Sequence, residues 1–205
     1  MKSFIYYFKK LLGESIQDTV VFAYGRFNPP TTAHQMLIDK AERAAQSFNC
    51  DCVIIPSHST KPPVKNPLNI DQKLEILSYM VTDATLSKDG STFINALVGL
   101  QKMGYKKVIQ IAGSDRQEEF EKLVSAYNNK PDRTGTIPFS FNEYKFLSSG
   151  ERDPDSEGIS GMSASKLRQL ASSGQYKQFM QGMSANVPND IKLQTYETLR
   201  KILAN

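Results

Sequence analysis

Two short β-prone runs in this chain stop at a glycine and pass straight into a helix start. Thr19–Tyr24 (TVVFAY) stops at Gly25, and Lys107–Ala112 (KVIQIA) stops at Gly113. A third run, Cys52–Pro56 (CVIIP), lies between them. Continuous apolar runs of this length, bounded by turn residues, predict strands buried on both faces. Helical periodicity fills the intervals. Leu37, Ala41, Ala44 or Ala45, and Phe48 share one face of a helix predicted over 32–48. Ile70, Leu74, Leu77 and Val81 form a second stripe, and Ile94, Leu97 and Leu100 a third, closed by Gly104.

Strands alternating with helices predict an α/β fold, a Rossmann-like parallel sheet flanked by helices. Local signals mark the element ends. Pro29-Pro30 and a threonine open the first helix. Asn69 caps the second, with Gln72 in the reciprocal position, and Ser91 opens the third. A strand is expected between Val81 and Ser91, where the pattern is weak, and Pro138–Phe146 alternates as a last strand. Beyond Ser163 everything reads as a C-terminal helical extension: 164–173, 176–183 and 190–204. The expected organisation is an amphipathic segment over 1–17, a core over 18–162 and a helical part over 163–205. Ligands of such sheets bind beyond the carboxyl ends of the strands, where Gly25 and Gly113 sit.

A length of 205 residues suits one domain. Lys and Arg number 25 against 21 Asp and Glu, a net charge of +4. That surplus is too small and too evenly spread for a dedicated nucleic-acid binder, but it suits anionic small molecules. No apolar run approaches the roughly 18 residues of a membrane span. The only cysteines, Cys50 and Cys52, read as reduced thiols entering a buried strand. With two histidines they make no closed zinc site, and a cytosolic compartment fits.

Three segments carry chemistry. Gly25-Arg26-Phe27-Asn28-Pro29-Pro30-Thr31-Thr32-Ala33-His34 packs a strand end, a turn and a helix start into ten residues. The helix start offers unpaired N–H groups to a phosphate, and His34 lies in the first turn. Gly113-Ser114-Asp115-Arg116 allows close backbone approach, with Asp115 able to accept from ribose or base donors. In Met162-Ser163-Ala164-Ser165-Lys166-Leu167-Arg168, Ser163 caps a helix whose first turns hold two hydroxyls and two cations, suited to a polyphosphate. Alone, each segment also reads as an ordinary capped helix or turn.

Together, in this order and separation, they resemble the nucleotidylyltransferase superfamily with the HxGH signature. The pattern G-x-F-x-P-x-[HT]-x-G-H matches Gly25 to His34, and I-S-S-T-x-x-R matches Met162 to Arg168. Thr31 stands where many members have a first histidine, and Ala33 replaces the motif glycine. The wording GRFNPPT, AGSDR, GERDPD and GMSASKLR looks most like small nucleotidyltransferase-like proteins encoded by large tailed bacteriophages.

The resemblance implies transfer of a nucleotidyl group, AMP from ATP in the first instance, to a phosphorylated acceptor such as nicotinamide mononucleotide, with release of pyrophosphate. A cytidylyltransferase is the alternative; so, on account of Ala33, is a nucleotide-binding virion protein with little turnover. It implies His34, Lys65 and Arg168 as catalytic residues. Lys61 shares the loop of Lys65, but Lys65-Asn-Pro matches the Lys-x-Pro of the phosphopantetheine enzymes. Gly25, Arg26, Phe27, Thr31, Gly113, Asp115, Arg116, Ser163 and Ser165 would bind nucleotide. Magnesium would ride on the triphosphate, with no protein metal site. The protein would work in the cytoplasm of an infected host cell or be packaged in the virion.

Met1–Gln17 has Phe4, Phe8, Leu11 and Leu12 at helical spacing. One reading is a short helix docked on the domain. The other is a removable leader for phage-head association over 1–14, because Met-Lys-x-Phe-x-x-x-Phe resembles such leaders and Leu12-Gly13-Glu14 resembles the site after which head-maturation proteases cut.

Overall fold

The structure, a computed structural model, describes residues 18–150 and 162–203. The two readings of residues 1–17 lie outside the described residues. Five parallel strands form one sheet in the order β3-β2-β1-β4-β5. They are β1 (Thr19–Gly25), β2 (Asp51–Pro56), β3 (Thr85–Leu86), β4 (Lys107–Ala112) and β5 (Glu143–Ser148). Between and after them run α1 (Thr32–Ser47), α2 (Ile70–Ser78), α3 (Phe93–Lys102), α4 (Gln117–Tyr127), α5 (Ala164–Ser172), α6 (Tyr176–Gly182) and α7 (Asn189–Leu203). The Rossmann-like expectation holds. The strand order reverses between β1 and β4, which places a crevice beyond their carboxyl ends.

Alternate residues of β1 feed opposite cores. Val21 and Ala23 join Ile38 of α1, Leu77 of α2, and Leu167, Phe179 and Leu199 of the last three helices. Val20 and Phe22 join Leu97 of α3 and Phe120 and Val124 of α4. Both faces of the sheet are therefore dry, which explains the unbroken apolar runs.

Caps act where the sequence places them. Thr31 caps α1 and His34 completes a capping box. Asn69 and Gln72 form the same reciprocal pair on α2, and Ser163 caps α5 through the Lys166 N–H. The third helix opens at Thr92 rather than Ser91. Glu42 on α1 is 8% exposed, and its Oε1 accepts three successive N–H groups, from Thr82, Asp83 and Ala84, at 2.8, 2.8 and 2.9 Å. That carboxylate fixes the turn leading into β3.

Four local expectations are corrected. Phe48 is 49% exposed, because α1 ends at Ser47 and the chain reverses at Asn49 (φ 49°). The second helix ends at Ser78, short of Val81; its buried residues are Lys73, Ile76 and Leu77, with Ile70 and Leu74 half-buried. The weakly marked strand is two residues long, held by pairing of Thr85 with Val53 and Leu86 with Ile54. The last strand begins at Glu143, five residues later than its pattern suggests. Phe139 and Phe141 are buried by ring packing at 5.5 Å, and Asn128 pairs with the Phe141 backbone through both ends of its amide.

Candidate functional site

The turn after β1 organises the site. Gly25 accepts from the Ser57 N–H at 2.8 Å, so the ends of β1 and β2 stay joined past the ladder. Phe27 adopts φ 45°, a region a side-chain-bearing residue rarely occupies. Its ring is fully buried and lies 4.9 Å from the His34 ring. A Cβ on Gly25 would come within 3.1 Å of that phenyl ring, so the glycine leaves space for it.

His34 is 8% exposed, and its Nδ1 accepts from the Thr31 N–H at 3.1 Å, with Thr31 Oγ1 at 3.0 Å. An Nδ1 that accepts from an amide carries no proton. The neutral ring therefore holds its hydrogen on Nε2, as a donor.

Across the turn, Arg168 of α5 donates from Nη1 to the Asn28 carbonyl at 2.6 Å and from Nη2 to Ser165 Oγ at 3.0 Å. The second motif thus lies against the first, although 140 residues separate Arg168 from Asn28. Burial, and then the nearby charge of Arg26, lower the pKa of Arg168.

Sequence reasoning missed Lys73. It is fully buried on α2, and Nζ donates to the Ser57 carbonyl at 2.7 Å. Burial, with a further contribution from Arg26, brings its pKa down to about 8. The signal was present: Lys73 sits three residues after Ile70 and four before Leu77, inside the apolar stripe. Lys65 lies exposed in the turn after Pro62, with its backbone N–H on the Pro62 carbonyl. Arg26, Lys73 and Arg168 thus gather three positive charges around one turn. Among the described residues, the ion pairs lie elsewhere, and none engages these three.

Gly113-Ser114-Asp115-Arg116 forms a single 3₁₀ turn after β4. Asp115 Oδ1 folds over Gly113 and fills the space a Cβ would need. Arg116 donates from Nη2 to Glu119 Oε1 at 3.0 Å, stands 2.8 Å by Nε from Oε2, and lies 5.0 Å over the Phe120 ring. Beside it opens a cavity of about 420 Å³ at the carboxyl ends of β1 and β2. Tyr24, Phe93 and Phe120 give it aromatic surface, while Arg26, Arg116 and Ser57 give it polar groups. The cavity lies on the α3–α4 face of the sheet, and His34 and Arg168 lie on the α1–α5 face. Arg26 belongs to both, lining the cavity and acting on Lys73 and Arg168.

The described residues hold no cluster of three histidines, cysteines or carboxylates fit to bind a metal ion, and no helix long and apolar enough to cross a membrane. Cys52 is buried in the core and Cys50 packs half-buried against it.

These features define a Rossmann-like α/β protein with cations gathered at the switch point of its sheet. The sequence matches no protein-family model and no curated protein. The fold is similar to nicotinic acid mononucleotide adenylyltransferase of Plasmodium falciparum complexed with APC, at a TM-score of 0.54 and 13% identity, covering 88% of this chain and 98% of that one. It is also similar to TmcAL of Thermotoga maritima bound with alpha-thio ATP, at a TM-score of 0.50 and 10% identity, covering 91% of this chain and 56% of that one. At these identities the similarity is one of fold.

Proposed function

We propose that the protein is a nucleotidyltransferase that transfers AMP from ATP to a phosphorylated acceptor such as nicotinamide mononucleotide. The carrying observation is the gathering of Arg26, Lys73 and Arg168 around the Gly25–Asn28 turn, between the starts of α1 and α5. A triphosphate is the anion whose charge matches three cations and two helix starts. The similarity in fold to two proteins with nucleotide-like ligands named beside them supports this reading.

In this reading an oxygen of the acceptor phosphate attacks the α-phosphorus in line. The bond to the α–β bridging oxygen breaks, and its electron pair leaves with pyrophosphate. The protein contributes position and charge rather than a nucleophile. His34 donates from Nε2 to the α-phosphate as charge builds. Arg168 and the Ser163–Ser165 helix start hold the β- and γ-phosphates. Gly113 and Asp115 face the nucleoside. The acceptor occupies the cavity, with its phosphate at Arg26 and its ring against Tyr24, Phe93 or Phe120. Magnesium enters with the triphosphate as part of the substrate.

A reading without turnover rests on Ala33, whose methyl group stands half-buried in the first turn of α1 beside His34. One experiment tests both. The protein is incubated with magnesium, each nucleoside triphosphate in turn and a panel of phosphorylated acceptors, and pyrophosphate is followed. Release with ATP and one acceptor is expected. Release with CTP alone makes it a cytidylyltransferase, and binding without release makes it a nucleotide-binding protein.

A further inference from the structure

We propose that Asn28 is a positioning residue, holding Lys73 and Arg168 in register so that both act on one polyphosphate. The inference rests on the nucleotidyl-transfer reading above.

Asn28 is 1% exposed, and both ends of its amide are used on one residue 40 positions away. Nδ2 donates to the Leu68 carbonyl at 3.1 Å, and Oδ1 accepts from the Leu68 N–H at 2.9 Å. Leu68 directly precedes Asn69, the cap of α2, and Lys73 follows four residues later. Lys73 reaches the Ser57 carbonyl, and the Ser57 N–H returns to Gly25. The contacts close a ring: the turn after β1, Leu68, the start of α2, the end of β2, and back to β1. Arg168 enters that ring through the Asn28 carbonyl. Its other anchor, Ser165, belongs to its own helix. Asn28 is therefore the residue through which α5 and α2 are set to each other.

The pairing needs a primary amide of this length. Aspartate offers two acceptors and no donor, so one carboxylate oxygen would face the Leu68 carbonyl. It would also place a negative charge among three cations. Alanine leaves both Leu68 backbone groups without their partner in a buried place.

Inorganic tripolyphosphate is the probe, because its binding needs neither base nor acceptor. Its affinity is measured by calorimetry on the wild type, Asn28→Ala, Asn28→Asp, Arg168→Ala and the Asn28→Ala/Arg168→Ala double variant. Melting curves are recorded in parallel, and pyrophosphate release is followed separately with ATP and the panel of phosphorylated acceptors. Asn28→Ala and Asn28→Asp are expected to weaken tripolyphosphate by about tenfold or more, a charged group's hydrogen-bond worth of affinity. The double variant is expected to lose less than the product of the two single losses, because part of the Asn28 effect passes through that arginine and the rest through Lys73. Asn28→Asp keeps one of the two Leu68 bonds and serves if Asn28→Ala does not fold. A lowered melting temperature with unchanged affinity would reduce Asn28 to a structural rivet and overturn the proposal, as would losses that multiply in the double variant. A wild type that fails to bind tripolyphosphate overturns it as well. A wild type that binds tripolyphosphate but releases no pyrophosphate from ATP with any acceptor of the panel overturns the transfer reading alone, with Asn28 still decided by the affinities.

Discussion

Lys73 Nζ lies 2.7 Å from the Ser57 carbonyl oxygen, inside the protein and at the edge of the cation cluster. A buried ammonium with one carbonyl partner is held charged against its environment. That tension gives the site a dependence on pH.

The Lys73 pKa is about 8, against an ordinary value of 10.5. Between those values the unfolded chain binds a proton that the native chain lacks, so stability contributed at this residue rises with pH across the window. Below about 8 both states are protonated, and the full cost of burying the charge is present. A bound triphosphate favours the charged form, so binding near pH 8 should take up a proton. Calorimetry in buffers of different ionisation enthalpy measures that uptake. Lys73→Met should abolish it and weaken triphosphate binding; unchanged uptake would remove Lys73 from the site.

His34→Ala should lower turnover by about 100-fold or more while changing triphosphate affinity far less. The Nε2 donor gains most as charge develops in the transition state. The same change removes half of the α1 capping box, so the melting curve should show a loss of roughly 0.5–2 kcal/mol. Rate and stability are read on the same preparation. A normal rate with the stability loss would make His34 a cap and nothing more.

Glu42→Ala should be among the most damaging substitutions away from the site. It leaves the N–H groups of Thr82, Asp83 and Ala84 without their shared acceptor, at a cost of at least about 2 kcal/mol. Glu42→Gln keeps an acceptor oxygen and should fall between Ala and the wild type. Urea denaturation ranks the three.

Ala33→Gly should leave turnover unchanged or raise it, despite a helix-propensity cost of up to about 1 kcal/mol. The first turn of α1 would then open to a phosphate oxygen now met by a methyl group. Steady-state kinetics with ATP as the varied substrate decide this. A large loss in a folded variant would mean that Ala33 is fitted to its ligand.

Helix starts were legible because caps are local. Thr31, Asn69 and Ser163 each reach a backbone N–H three residues on, and no distant contact intervenes. Strand ends depended on distant partners. Thr85–Leu86 is a strand only because β2 lies beside it. Phe139 and Phe141 alternate like strand residues, yet Asn128 holds that backbone outside the ladder. At the site, the matched motifs supplied Arg168 and His34, and the fold brings both to the turn after β1. Lys73 escaped because a lysine is ordinarily solvated, and only the packing of α2 against the end of β2 buries this one. Asn28 escaped because its partner, Leu68, is a backbone group, and backbone groups leave no mark in a sequence.

The ring that runs from Gly25 through Asn28, Leu68 and Lys73 to Ser57, with Arg168 joined to it, draws on segments spread across most of the chain. No isolated fragment owns the three charges. The site therefore needs the whole sheet in place, and a partly folded chain should have no affinity for polyphosphate. Mass action then ties ligand to fold: each tenfold rise in triphosphate above its dissociation constant should add about 1.4 kcal/mol of stability. Melting temperature read against nucleotide concentration becomes a census of candidate ligands, one that needs no knowledge of the acceptor.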